Sequence, residues 1–535
     1  MQTGLTLIVS VLLWSGCRPA TVQNVDKGPW WNEGVFYQIF VRSFYDSDGN
    51  GIGDFNGITA KLDYLNDGNP KTTDDLGVTG IWLLPIMPSP SYHGYDVTDY
   101  KSVNFDYGTM DDFNRLLEEA HKRNIRVILD LVVNHTSVQH PWFLEAQNPN
   151  SPYRDWYIWS AENPGYLGPW QQEVWHRSPQ GDYYYGVFWS GMPDLNYRNP
   201  AVGAEMKEVA RFWLEDVGVD GFRVDGARHL IEEGQVQVNT DASIAWFKEF
   251  TTYYKGVRPD AMAVGEVWDS SYVAARYPKS GALDMVFDFD ASTGLLKAVN
   301  WKSAQPAYNV FTSNQQIGSS YLATFLTNHD MNRVMSQVQQ KPERARNAAT
   351  LLLTGPGTPF IYYGEEIGMT GTKPDEQLRT PMQWSSAAGA GFTTGTPWIF
   401  PHADYKTSNV ADEAKDPNSL YVHYRNLIHL RMAHPALRSG AYLKVNSKSE
   451  AVYAALRVSD EEAILILVNL GEEAATDYAL SLDAGLQPGS YLPKALLGEG
   501  KFARLTVSEA GGFSEYVPVA ELPAGANLVL LLTKR

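Results

Sequence analysis

Eight short apolar runs rich in Val, Ile and aromatic residues recur along the chain, at 34–40, 79–84, 126–132, 221–224, 262–267, 285–287, 323–326 and 359–363, with helix-length amphipathic segments between them. This alternation builds parallel α/β folds, because a buried strand needs a crossover helix to bring the chain back in the same direction. Eight such units predict a closed (β/α)8 TIM barrel. Two of the intervening helices are predicted at 110–124, where Asp111-Asp112 places acid at the helix start, and at 204–217.

One spacing breaks the rhythm, between the third run and the fourth. After the helix at 204–217 is allowed for, the stretch 136–200 is left, dense in Trp, Tyr, Pro and Gly, and it reads as an inserted subdomain rather than a loose loop. Beyond His434-Pro435 the pattern changes to short strands at 451–458, 463–469 and 526–532 with turn residues between them. The expected organisation is therefore a barrel in two parts, 25–135 and 201–436, interrupted by the insertion at 136–200 and followed by an all-β, sandwich-like domain at 437–535.

The single cysteine, Cys17, rules out an intramolecular disulfide and a cysteine-based zinc site. It follows an apolar run at 5–14, the length of a signal-peptide core and too short to span a bilayer. Ser15-Gly16-Cys17 resembles the lipobox of bacterial lipoproteins, with a signal peptide at 1–17 and 21–28 as a tether. The expectation is an exported protein, anchored through an acylated Cys17 or else periplasmic or secreted. No later stretch reaches the about 18 apolar residues of a membrane helix, so membrane contact is expected only through that lipid.

Charge narrows the partners. Lys+Arg 43 against Asp+Glu 61 leaves a net charge of −18, which excludes partners gripped by their phosphate backbone, nucleic acids above all. With 16 Trp and 30 Tyr, the chain has flat rings in surplus for packing against sugar rings.

In a TIM barrel the chemistry gathers at the C-terminal ends of the strands. Four predicted strand ends carry polar cargo: Asp130-Leu131-Val132-Val133-Asn134-His135, Gly221-Phe222-Arg223-Val224-Asp225-Gly226-Ala227-Arg228-His229, Val264-Gly265-Glu266-Val267-Trp268 and Thr327-Asn328-His329-Asp330. These resemble, in order, the four signature regions of the α-amylase family, glycoside hydrolase family 13, and the resemblance runs from Trp30 to near the end of the chain. It implies Asp225 as nucleophile, Glu266 as general acid/base and Asp330 as the carboxylate that grips the sugar hydroxyls of the transition state. It further implies that His93, His135 and His329 donate hydrogen bonds to the sugar at the cleavage point, that Tyr95 offers a stacking platform, and that Asp375 and Arg379 act near the same sugar.

The residues themselves point the same way. Glycoside cleavage needs one proton donor for the leaving oxygen and one anion for the oxocarbenium-like centre, and carboxyl groups converging on one cavity push their pKa values apart. Arg223 lies two residues before Asp225, on the same face of a strand, so its fixed charge is expected to keep Asp225 ionised.

The loop Asp46-Ser47-Asp48-Gly49-Asn50-Gly51-Ile52-Gly53-Asp54 sets out oxygens at Asp46, Asp48, Asn50 and Asp54 with glycines to bend the chain, a donor set suited to Ca2+. Family resemblance adds the Ile52 carbonyl to this site. It also implies a second calcium site built from Asn134, Asp194 and the carbonyl of His229.

The function expected is that of an α-amylase: retaining hydrolysis of α-1,4-glucosidic bonds in starch, glycogen and maltooligosaccharides, by a monomer. Met192-Pro193-Asp194-Leu195-Asn196 resembles a group intermediate between α-amylases and oligo-1,6-glucosidases, and Arg228 stands where many amylases have Lys. An α-glucosidase or a transglycosylase acting on maltooligosaccharides is the alternative. A glucan-binding protein without catalysis is the third reading, opposed by the intact carboxylate trio with Arg223, His135 and His329.

Overall fold

The computed structural model describes residues 28–535; the apolar run at 5–14 and Cys17 lie outside the described residues. In chain order the strands begin with β1 (Phe36–Ile39), β2 (Gly80–Leu83), β3 (Arg126–Leu131), β4 (Trp159–Ser160), β5 (Trp175–Arg177), β6 (Tyr183–Tyr185) and β7 (Gly221–Val224). They continue with β8 (Met262–Gly265), β9 (Met285–Phe287), β10 (Leu322–Phe325) and β11 (Thr358–Tyr362). Eight of these close into a parallel barrel in the order β1-β11-β10-β9-β8-β7-β3-β2, while β4, β6 and β5 form a small antiparallel sheet inside 136–200. The eight barrel strands are the eight apolar runs, each within a few residues of its expected bounds.

Side-chain alternation divides the barrel. On β1, Phe36 points into the barrel core and Tyr37 and Ile39 into the layer beneath the helices; on β3, Ile128 points in and Leu129 and Leu131 out. The interior is unusually aromatic: Phe36 stacks on Phe360 at 4.4 Å, and Trp82 packs on Phe287 at 5.2 Å. Above that apolar floor the next inward positions are polar, namely Gln38, Asp130, Arg223 and Asp225, and all four are buried.

The helices show how local chemistry sets boundaries. Thr109 and Asp112 close a capping box on the helix Met110–Lys122, which ends two residues before the expected 124, where Asn124 turns to a φ of 59°. The helix expected at 204–217 begins earlier, as Pro200–Arg211, because Pro200 sits in its first turn and Asn199 caps it by accepting from the Ala201 amide at 3.0 Å. Its last part, Phe212–Val217, is wound as a π-helix and stops at Gly218, whose φ is 97°.

C-terminal to the barrel lie β12 (Ala441–Lys444), β13 (Asn446–Ser447), β14 (Val452–Val458), β15 (Ala463–Asn469), β16 (Leu480–Leu482), β17 (Gly489–Leu497), β18 (Leu505–Val507), β19 (Phe513–Tyr516) and β20 (Asn527–Lys534). They make a six-stranded sheet, β12-β14-β15-β20-β17-β18, and a three-stranded one, β13-β16-β19, around a second core. Among the described residues no helix is long and apolar enough to cross a membrane.

Candidate active site

The strand register places Asp130 on β3 directly beside Arg223 on β7, and Arg223 beside Val264 on β8, two residues before Glu266. Arg223 is 1% exposed, and both of its terminal nitrogens are engaged. Its Nη1 donates to Asp130 Oδ1 at 2.7 Å and to Asp225 Oδ1 at 2.6 Å, and its Nη2 lies 2.8 Å from Glu266 Oε2. One planar fork thus fixes Asp225 and Glu266 side by side. Glu266 Oε2 also accepts from the amide of Gly226 at 3.1 Å. That residue turns the chain after β7 with a φ of 53°, and a Cβ there would meet the Phe188 ring at 3.1 Å, so glycine suits both the turn and the close packing.

Burial dominates the electrostatics of the pair. It raises Asp225 and Glu266 above the usual carboxylate range, and Arg223 opposes the rise without cancelling it. The expected ion pair of Arg223 and Asp225 is present, but desolvation outweighs it. Asp330 goes the other way. Burial works against its charge, yet His329, Arg379 and Arg223 together hold it well below the ordinary value. Asp130, enclosed beneath them, is pushed up to about 7, chiefly by burial.

Asp330 is gripped on both oxygens: Arg379 Nη2 donates to Oδ1 at 2.8 Å, and His329 Nε2 stands 3.0 Å from Oδ2. The Gln38 amide reaches His329 Nδ1 at 2.7 Å, so Nδ1 accepts and Nε2 carries the proton, which is shared with the Tyr95 hydroxyl at 2.7 Å. The Tyr95 hydroxyl in turn donates to Asp130 Oδ2 at 2.9 Å. His135 donates from Nε2 to the Tyr95 carbonyl at 3.1 Å; its Nδ1 is buried without a partner, and burial lowers the ring to about 4. A neutral His135 therefore presents an acceptor at Nδ1.

These groups open into a cavity of about 540 Å3 at the C-terminal end of the barrel. Asp225, Glu266, Asp330, His93, Tyr95, His135, Asp375 and Arg379 all line it. Two residues of the expected site do not line it. Arg223 lies beneath the carboxylates it binds, and His329 sits behind Tyr95 and Asp330 with both nitrogens engaged, so each positions other groups rather than facing the cavity. The Tyr95 ring lines the cavity while stacked on His329 at 5.6 Å, and Asp375 stands at the rim, 3.5 Å from Arg379. The walls add residues outside the expected set: Trp170, Phe188, Trp189 and Met192 from the insertion, Trp268 after β8, Tyr92 and Lys373. Trp268 was legible as the residue two after Glu266. The insertion rings had no signal beyond local composition.

In the acid loop, one carboxylate oxygen each from Asp46, Asp48 and Asp54 lie within 4.8 Å of one another. Asp46 accepts from the amides of Asp48, Gly49 and Gly51. Asp54 accepts from Ser47 and caps the next helix through the Gly57 amide. Asn50 turns its NH2 to Asp48 at 3.1 Å and accepts from the Ile52 amide. Three converging carboxylates with amide and carbonyl oxygens beside them make a hard, all-oxygen donor set, and it fits calcium. The second set fits on a different ground: Asn134 Oδ1 and Nδ2 and Asp194 Oδ2 are buried with no partner. Burial, then neighbouring Glu232, drives Asp194 far above its usual value, as expected of a carboxylate whose counter-charge would be a cation. The His229 ring donates from Nδ1 to the Gln237 carbonyl at 3.1 Å.

A parallel eight-stranded barrel whose strand ends bring carboxylates to a ring-lined cavity, over one buried arginine that holds them, has the architecture of a TIM-barrel glycoside hydrolase. The model of the α-amylase catalytic domain matches residues 38–440. Alpha-amylase 3 of Dictyoglomus thermophilum is 43% identical over 450 residues, covering 83% of this chain and 85% of the relative. An oligo-1,6-glucosidase of Parageobacillus thermoglucosidasius is 35% identical over 522 residues, covering 83% and 91%. The crystal structure of an α-amylase from H. orenii superimposes with a TM-score of 0.81 at 41% identity, covering 94% of this chain and 99% of that one. The chain belongs to the α-amylase family, glycoside hydrolase family 13, and is an enzyme whose substrates are oligosaccharides.

Proposed function

We propose that the enzyme is an α-amylase, hydrolysing α-1,4 bonds of starch and maltooligosaccharides with retention. The observation that carries this reading is the cavity mouth. Trp170, Trp189 and Trp268 line it, yet remain 55%, 51% and 44% exposed, as platforms for glucose units beyond the bond that is cut. Asp225 attacks C1 of the glucosyl unit as Glu266 gives its proton to the leaving oxygen; the C1–O bond breaks and an ester to Asp225 forms. Glu266 then takes a proton from water, whose oxygen bonds to C1 and frees Asp225. Asp330, held ionised, binds hydroxyls of the distorted sugar. Calcium at Asp46, Asp48, Asn50, Ile52 and Asp54, and at Asn134, Asp194 and His229, would neutralise carboxylates and hold the loops around them.

Time-resolved NMR should show the α-anomer first; a first-formed β-anomer would argue for inversion. Asp225→Ala should lower kcat at least about 10^4-fold on every substrate. Glu266→Ala should lose starch cleavage while sparing more of the first step on an α-glycosyl fluoride, whose leaving group needs no proton. The oligo-1,6-glucosidase relative favours a second reading, action on α-1,6 bonds, and a product profile from starch, maltotriose and isomaltose separates the two. For the N-terminal segment we propose export and acylation at Cys17: wild-type protein should take up labelled fatty acid in a bacterial host, and Cys17→Ser should not.

A further inference from the structure

A second cavity, about 770 Å3 and larger than the catalytic one, shares no lining residue with it. Its wall is the segment 387–397, where Ala387, Ala388, Gly389, Gly391 and Gly395 leave backbone bare and Thr393, Thr394 and Thr396 add hydroxyls. The apolar surface comes from the rings of Tyr45, Phe400 and Tyr405. Phe400 is 73% exposed, and its ring stands at the cavity rather than in either core. A lone exposed ring needs no explanation, but one set in a concave, hydroxyl-lined surface does.

The wall is rigidly held. Asp46 donates its amide to the Phe392 carbonyl at 3.0 Å, and Trp398 donates its amide to the Gly51 carbonyl at 2.9 Å. A Cβ on Gly51 would meet the Thr396 carbonyl at 1.9 Å, so the two loops touch backbone to backbone. Of the described residues lining the cavity, Asp46 alone is charged. Its oxygens accept from three amides of the acid loop and from the Thr393 hydroxyl, and this is one of the carboxylates that would hold the loop's calcium.

We infer that this cavity is a second binding site for the neutral glucan chain, remote from the bond being cut. A ligand there meets ring faces, hydroxyls and peptide groups and no free charge. That chemistry suits a neutral polyhydroxylated chain and disfavours phosphates and charged peptides. The inference rests on the α-glucan reading above. Its consequence is selective: a polymer long enough to touch both sites gains by effective concentration, and a trisaccharide does not.

The test is retardation in native gels containing soluble starch, run in a Glu266→Gln background so that the polymer survives, together with kinetics of the active forms on maltotriose. Phe400→Ala with Tyr405→Ala should weaken retardation at least about fivefold and leave kcat and KM on maltotriose unchanged. Phe400→Trp should restore retardation, and Phe105→Ala, which removes another exposed ring, should do nothing. Retardation equal to wild type in the double variant would overturn the second site, and so would a parallel loss of maltotriose turnover. Failure of the wild type to cleave maltotriose would count against the α-amylase reading, which the gels do not measure.

Discussion

Glu365 has no part in the proposed chemistry, yet it is among the most perturbed groups in the molecule. It follows β11, accepts from the Tyr424 hydroxyl at 2.8 Å, and is pushed up to about 8 by burial, with neighbouring Glu366 adding to the rise. Glu366 accepts on a single oxygen from Tyr37 at 2.7 Å and Tyr64 at 2.5 Å, and its other oxygen has no partner. A carboxyl whose pKa is raised on folding binds its proton more tightly in the native state. The contribution is therefore full below the unfolded value and is lost as pH rises toward about 8. Glu365→Gln keeps the acceptor for Tyr424 and removes the titration. Its thermal midpoint should exceed that of wild type by a few degrees at pH 8.5 and show no such gain at pH 5. Equal differences at both pH values would sink this account.

At the scale of elements, the acid loop joins three parts of the barrel end. Asp54 starts the helix Phe55–Ala60, Asp46 is bonded to Phe392 and Thr393, and Gly51 receives Trp398. Trp398 stacks on Tyr92 at 5.4 Å, and Tyr92 lines the catalytic cavity. An ion bound only by the folded loop would stabilise by mass action, about 2.7 kcal/mol when its concentration is 100 times the dissociation constant. Excess chelator should therefore lower the melting midpoint of wild type, and added calcium should restore it. Asp48→Ala should start from the lower midpoint and respond less to either. A midpoint indifferent to chelator and calcium in wild type would reject calcium in the loop.

For the whole molecule, the critical contact is where the C-terminal sheets dock. The helix Pro342–Thr354 ends against the barrel floor, and its terminal carbonyls are claimed by two buried arginines from elsewhere. Arg431 donates to Leu353 at 2.9 Å and Gly355 at 3.0 Å, and Arg457, on β14, donates to Thr354 at 2.8 Å and Gly440 at 3.0 Å. Positive charge at a helix C-terminus is favourable, and here it also satisfies carbonyls cut off from water. Arg457→Met should cost about 2–4 kcal/mol in denaturant unfolding, because it leaves those carbonyls unpaired. At the exposed edge of the same junction, Glu472 pairs with Lys302, Lys341 and Arg344, and Glu472→Ala should leave the midpoint nearly unchanged. An Arg457→Met variant as stable as a near-neutral Glu472→Ala would show that docking does not depend on the buried arginine.

The amino-acid sequence by itself determined the eight strands, the face each side chain takes on its own strand, and the carboxylates at the strand ends. Those follow from periodicity and from position within an element, which are local. Tertiary structure alone decided which faces meet. Asp130 stands beside Arg223 because β3 and β7 are neighbours across the inserted 136–200, and Tyr37 reaches Glu366, 329 positions away, because β1 closes the barrel against β11. The rings of Trp170 and Trp189 come to the catalytic cavity by the fold of the insertion, and His329 is screened from it by Tyr95 and Asp330. The upward shift of the Asp225 carboxyl was likewise beyond the sequence. The spacing to Arg223 predicts the ion pair, but the depth of burial, which outweighs it, is a property of the closed barrel.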